Sequence, residues 1–264
     1  MEVQPFNDND VNLLVDLQPD GWPDITPSFR FYKVSSFCFP IKIIIDGKIA
    51  GIGATIIHHK IAWLGHIIVH PEHRGKGIGG YITKKLIDIA NQHDCETINL
   101  VATDLGAPVY EKAGFTTETE YFFFKDIHIA SALSPLVIPY KKEFREQIAE
   151  IDYLTSQEDR VFLFEEHLTG GLVYFNNNMV EGFYLPTLGE GLIIANTRAA
   201  GIELLKVHFN ANDKVAFPKD NLYATTFLHE NGYKEIRTAK RMILGKKRNV
   251  ILSNIYNRIA GNIG

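Results

Sequence analysis

The stretch HPEHRGKGIGGY, residues 70–81, sets four glycines and the basic residues Arg74 and Lys76 between an apolar run and a helix-like segment. A strand, a glycine loop and a helix in that order make an anion site. The helix start offers unpaired N–H groups and roughly half a positive charge. Glycine lets the backbone adopt φ > 0 and approach a ligand closely. The natural guest is a phosphate or pyrophosphate. The competing interpretation is a glycine-rich turn that binds nothing.

Two phosphate motifs fail on spacing. A Walker loop needs GxxxxGK[ST], and the chain has no Gly-Lys-Ser or Gly-Lys-Thr. A dinucleotide fingerprint is literally present as Gly75, Gly77 and Gly80. Its first glycine should follow the strand at once, yet His70 to Arg74 intervene after Val69. The next apolar run, TINLVA, also ends without the acidic residue that a ribose requires.

The elements around the loop follow from pattern. VQPF reads as a first strand. NDNDVNLLVDLQ opens with cap residues and spaces Val11, Leu14 and Leu17 as one helical face. A turn-rich, aromatic stretch with one short helix leads to three strands between Pro40 and His70, turned at Asp46-Gly47 and His59-Lys60. Ile78, Ile82, Leu86 and Ile89 share a face of a helix over 78–91. TINLVAT is a strand, LGAPVYEKAG a short helix ending at Gly114, and FTTETEYFFFK a long strand. A helix between strands in an otherwise antiparallel set predicts an α/β fold with a mixed sheet.

The second half repeats the first weakly. Residues 173–186 align with 43–56, placing Gly182 opposite Gly51. Residues 191–196 align with 65–70, and 221–236 with 103–118, placing Gly232 opposite Gly114. Two copies of one fold are expected, with a boundary in 126–136: one domain over 1–128 and a second over 136–264.

VHPEHRGKGIG resembles the acetyl-CoA-binding motif of the GNAT acetyltransferases, Q/R-x-x-G-x-G/A, through Arg74, Gly77 and Gly79. Tyr110 to Phe115, YEKAGF, resembles that family's second hallmark, at the matching separation and order. The resemblance covers about residues 2–125. More narrowly it points to a tandem GNAT group with an active first domain and a degenerate second one. Gly21-Trp22 looks like the same group, although Pro23 departs from its usual Asn.

The resemblance implies a cytoplasmic enzyme that moves the acetyl group of acetyl-CoA to a small-molecule amine by direct attack. It implies that the backbone of Ile67, Ile68 and Val69 pairs with pantetheine. The loop Arg74, Gly75, Lys76, Gly77, Ile78, Gly79 and Gly80 would hold the pyrophosphate. Tyr110 would protonate the leaving thiolate. Thr103 stands where the family often has Asn; its hydroxyl either bonds pantetheine or caps a helix. His66 is the candidate proton acceptor on the preceding strand, sharing a face with Ile68, and its other role is scaffold. Trp22 and Asp24 are candidate acceptor contacts. In the second copy Leu228 stands opposite Tyr110, and IIANTRAAGIELL replaces the loop with about six fewer residues. Its remnant Arg198-x-x-Gly201 is followed by Glu203, which would repel a phosphate. One cofactor per chain is therefore expected. A CoA-binding sensor without turnover is the alternative.

Composition narrows the rest. The net charge is -4 over 264 residues, which gives no global pull toward nucleic acid or an anionic membrane. No apolar run is long enough to span a bilayer, and no signal peptide is evident at Met1. Cys38 and Cys95 are two isolated cysteines, so neither a disulfide scaffold nor a metal site is expected, and a reducing compartment fits. A monomer or homodimer is expected.

Overall fold

The structure is a computed structural model that describes residues 1–129 and 132–264. It divides into two units, each taking residues from distant parts of the chain. The first comprises Met1–Glu118, Arg241–Lys247 and Gly261–Ile263; the second comprises Thr119–Lys240, Arg248–Ala260 and Gly264.

In the first unit, β1 (Glu2–Pro5), β2 (Cys38–Ile45), β3 (Lys48–His58) and β4 (Ile61–Val69) form an antiparallel run in that order. Asp46 and Gly47 both have positive φ, 50° and 77°, as the tight β2–β3 turn demands. Helix α1 (Thr26–Val34) precedes β2. Helix α2 (Ile78–Gln92) follows β4 and carries the chain to β5 (Thr97–Ala102), which is parallel to β4. Helix α3 (Ala107–Lys112) comes next, then β6 (Thr116–Phe124). Ile78, Ile82 and Leu86 of α2 bury against Ile41, Ile43, Ala62 and Leu64 of the sheet. Gly51 and Gly53 make that approach possible. A Cβ at Gly51 would lie 2.7 Å from Ile82 Cδ1, and one at Gly53 would lie 2.9 Å from Leu86 Cδ1.

The second unit has β7 (Val137–Pro139), α4 (Arg145–Ser156), β8 (Leu172–Asn176), β9 (Met179–Leu185), β10 (Leu192–Ala195), α5 (Arg198–Phe209), β11 (Val215–Pro218) and α6 (Leu222–Glu230). From β8 to α6 this is the order of β2 to α3. The repeat extends to the ladder: Ile43 pairs Gly51 and Tyr174 pairs Gly182, and in both copies the register shifts at the next rung. Gly114 and Gly232 close α3 and α6 with φ of 95° and 85°.

Two expectations change. The segment Asp8–Leu17 is a 3-10 helix. Its buried Val11, Leu14 and Leu17 fall every third residue, which is the 3-10 repeat. Asp10 anchors it through Lys42, whose Nζ donates to both carboxylate oxygens at 2.6 and 2.8 Å. Second, a single cut near 126–136 does not describe the units. β6 contributes residues to both, as does β12 (Arg237–Gly245), whose Arg241–Gly245 part adds to the first unit's sheet next to β5. Ala130 and Ser131, inside the expected boundary, lie outside the described residues.

Candidate active site

Strands β4 and β5 pair only from Ile61↔Thr97 to Trp63↔Asn99. Among the described residues no pairing of β4 with β5 continues beyond that rung, so the backbone of Ile67, Ile68 and Val69 is open on that side. Past Val69 the chain makes a 3-10 turn, Pro71–His73, and then the glycine loop. Gly75 and Gly77 have φ of 75° and 79°, and a Cβ on either would meet nothing within 4 Å. Gly77 is the N-cap of α2 and no side chain caps it. The amides of Ile78, Gly79 and Gly80 are first-turn donors without an intrahelical acceptor. A Cβ at Gly79 would lie 3.7 Å from Val69 Cγ2 and one at Gly80 would lie 3.9 Å from Val109 Cγ1, so the loop has room on that side. Arg74 and Lys76 are exposed and steady the loop: Arg74 Nε donates to Val69 O at 3.2 Å, and Lys76 Nζ to Glu72 O at 2.9 Å. These residues fit an anion that carries a long extended arm.

Tyr110, on α3, is 9% exposed and belongs to the first unit's core cluster. Its ring meets Phe115 edge-on at 6.1 Å, and a Cβ at Gly106 would lie 2.9 Å from it. Burial pushes its phenol up to about 12, so it is protonated at neutral pH. Thr103 opens the turn into α3. Its carbonyl accepts from the Gly106 and Ala107 amides at 3.0 and 2.9 Å, and its hydroxyl from Gly106 at 3.2 Å.

His66 lies at a bulge. The β3–β4 register passes from Ile52↔Ile68 to Ala54↔Gly65, leaving Gly53 opposite two residues, and His66 has φ 50°. The bulge turns the imidazole toward α1 and the preceding loop. Its ring meets Phe29 at 5.7 Å, Tyr32 at 5.6 Å and Trp22 at 6.2 Å. Nδ1 is 2.7 Å from the Tyr32 hydroxyl. Burial lowers the ring's pKa to about 4, so it is neutral at physiological pH.

Trp22 and Asp24 line a pocket of about 440 Å³ with Val11, Leu14, Gln18 and Thr26. Only Trp22 reaches the His66 ring. The Asp24 carboxylate accepts from the Thr26 amide at 2.9 Å, and that bond lowers its pKa. Gln18 shapes this loop, and nothing in the sequence pattern marks it. Its side chain donates to Trp22 O and Pro23 O and accepts from the Ile25 amide. Asn99, at the last β4–β5 rung, is also absent from the sequence reading. It is wholly buried and neither of its side-chain polar atoms has a protein partner. A lone Asn inside an apolar strand is the signal that marks it. Cys38 and Cys95 are both free thiols, and burial pushes Cys38 up to about 12, away from nucleophile chemistry.

The second unit treats the equivalent strand edge differently. β10 pairs with β13 (Ile255–Asn257), a strand from late in the same unit. Asn257 and Arg258 then tie this strand to β11: Ala216 N donates to Asn257 Oδ1 at 3.0 Å, and Arg258 N to Ala216 O at 3.0 Å. Gly201 packs on the Tyr256 ring, where its own Cβ would fall 2.0 Å from a ring carbon. Glu203 pairs with Lys206 at 2.7 Å.

Residues 11–115 match the family model described as Acetyltransferase (GNAT) family. Several solved structures resemble nearly the whole chain. One from Pyrococcus horikoshii, provisionally assigned as an acetyltransferase, is 21% identical with a TM-score of 0.85, covering 100% of this chain and 95% of that one. A GCN5-related N-acetyltransferase from Sphaerobacter thermophilus is 13% identical with a TM-score of 0.66, covering 96% and 98%. A tandem GNAT protein from the clavulanic acid biosynthesis pathway is 16% identical with a TM-score of 0.62, covering 94% and 99%. Over nearly its whole length the chain has the GNAT acetyltransferase fold in a tandem arrangement, and residues 11–115 carry the match to that family's model. The family's members are generally acetyl-CoA-dependent acyltransferases. Among the described residues no helix is long and apolar enough to cross a membrane, and no cluster of three His, Cys, Asp or Glu could hold a metal.

Proposed function

We propose that the chain is an N-acetyltransferase that moves the acetyl group of acetyl-CoA to a primary amine of a small molecule by direct attack, in a reducing cytoplasmic setting. The observation that carries this reading is the pairing, in the first unit, of an uncapped α2 N-terminus with a β4 edge left open beyond Trp63. In the second unit the equivalent edge is filled by β13. One acetyl-CoA binds per chain, with pantetheine along Ile67 to Val69 and Thr103, and pyrophosphate on Arg74 to Gly80. The acceptor enters beside Trp22 and Asp24.

The nucleophile is an uncharged amine. It attacks the thioester carbonyl, the tetrahedral intermediate is held by hydrogen-bond donors, and the C–S bond breaks. Tyr110 supplies the proton that the leaving thiolate takes up, and regains one from the water that receives the amine's proton. β4 carries no carboxylate to act as base, and the amine sheds its proton to water.

A panel of amines with acetyl-CoA, followed by free-thiol release, tests the reading. Release with at least one amine is the expected result; CoA binding without release for any amine would leave a binding module instead. The pH dependence is also fixed. Tyr110, at about 12, and His66, at about 4, keep one protonation state between pH 5 and about 10. Below its own pKa the amine is an ammonium without a lone pair. kcat/KM should therefore fall about tenfold per pH unit below the amine's pKa. Two amines of different basicity should shift that limb; a limb at the same pH for both would contradict direct attack by free amine.

A further inference from the structure

The side chain of Asn262 lies in the first unit, against the β4 bulge. Its Nδ2 donates to the Tyr32 hydroxyl at 2.5 Å, and Tyr32 is 2.7 Å from His66 Nδ1. Gly65, one residue before His66, leaves the space for it: a Cβ there would fall 2.4 Å from Asn262 Cβ and 3.1 Å from the Tyr32 oxygen. Tyr32 is fully buried on α1, and burial holds its phenol well above the usual range, so it keeps its proton.

These bonds suit one tautomer. With its oxygen accepting from Asn262, the Tyr32 hydroxyl has one proton to give, and His66 Nδ1 is the acceptor within reach at 2.7 Å. A neutral imidazole whose Nδ1 accepts carries its hydrogen on Nε2. Among the described residues Nε2 has no hydrogen-bond partner, and the ring around it is half-buried beside Trp22 and Phe29. Among the described residues the ring's neighbours are Trp22, Phe29, Tyr32 and, through Tyr32, Asn262.

We propose that Asn262 and Tyr32 are positioning residues that fix His66 as the Nε2–H tautomer, and that His66 serves acyl transfer as a hydrogen-bond donor to the substrate. This gives the histidine the opposite polarity to the proton acceptor expected from sequence. It also assigns a role to a residue far outside the 11–115 match. The inference rests on the acetyltransferase reading for its kinetic part, and stands on its own for the tautomer.

Two measurements test it. Nitrogen-15 spectra of the labelled protein report which imidazole nitrogen bears the proton, and the His66 signal is identified among the ten histidines by its loss in His66→Gln. Protonated Nε2 with bare Nδ1 is expected in the native protein, and a mixture of tautomers in Tyr32→Phe and Asn262→Ala. Protonated Nδ1 in the native protein, or spectra unmoved by both substitutions, would overturn the proposal even in a protein with no turnover.

Kinetics separates donor from acceptor. Glutamine can place an N–H near the Nε2 position but cannot take up a proton. His66→Ala should lower kcat by about 10²-fold, the loss seen when one transition-state donor is removed. His66→Gln should restore most of that loss, while Asn262→Ala and Tyr32→Phe reduce kcat about 3- to 10-fold with the KM for acetyl-CoA unchanged. If His66→Gln is as slow as His66→Ala, the donor role is wrong. If the native protein releases no thiol with any amine, the acetyltransferase reading fails, and the spectra still decide the tautomer.

Discussion

Tyr110→Phe should lower kcat for thiol release by about 10²- to 10⁴-fold, the range for losing a positioned general acid. Three features support this size. The ring is locked in the core, against Phe115 and over Gly106, so phenylalanine keeps the same packing and the fold should survive. The phenol, pushed up to about 12, is protonated at any working pH, so its O–H is available to the leaving thiolate as the C–S bond breaks. Tyr110 also lies on α3, the helix reached directly after β5, the strand that parts from β4. CoA affinity and melting temperature should stay near native values, because only an oxygen is removed. Stopped-flow thiol detection at saturating acetyl-CoA measures the effect. A change under threefold would make Tyr110 a packing aromatic and send the proton from elsewhere.

Gly201→Val should destabilise the second unit by about 3 kcal/mol or more, the upper end for overpacking a core. A Cβ position is set by the backbone, and at Gly201 it lies 2.0 Å from the Tyr256 ring. No rotamer clears that. Either α5 lifts from its bed of Leu204, Leu205 and Phe209, or Tyr256 leaves and β13 parts from β10. For a protein of this size the melting temperature should fall by roughly 6–12 °C. Scanning calorimetry checks it, with Gly201→Ala/Tyr256→Ala expected to recover part of the loss. An unchanged melting temperature in Gly201→Val would mean that β13 does not hold the position described. The same contact explains the remnant glycine of the second copy: it is kept for close packing on Tyr256.

The parts of this fold that sequence foretells are those written in local spacing. Glycines at 51 and 182, and at 114 and 232, announced the repeat, and the ladder shares even its irregular rung. The spacing of Val11, Leu14 and Leu17 is also informative, although its period of three belongs to a 3-10 helix and not to an ordinary helical face. Long-range pairings were not legible. Nothing in IYN announces a strand that fills the β10 edge, and nothing in RTAKRMILG says that its second half joins the sheet beside β5. At the site, the glycine loop and Tyr110 were legible because their neighbours in sequence are their neighbours in space. Asn262 was not, because 230 residues separate it from Tyr32. His66 could be placed on a strand but not at a bulge, since a positive φ at a histidine leaves no mark in the pattern.

The central claim is one CoA site, on the glycine loop of the first unit. Calorimetric titration of the full chain with CoA tests it, with Gly77→Asp beside the native protein. Aspartate tolerates a left-handed φ better than most residues. It would set a carboxylate at the N-terminus of α2, against the pyrophosphate. One CoA should bind per native chain, with an affinity lower by roughly 10- to 100-fold in the variant. Two molecules per chain, no binding, or binding that Gly77→Asp leaves undisturbed would contradict it.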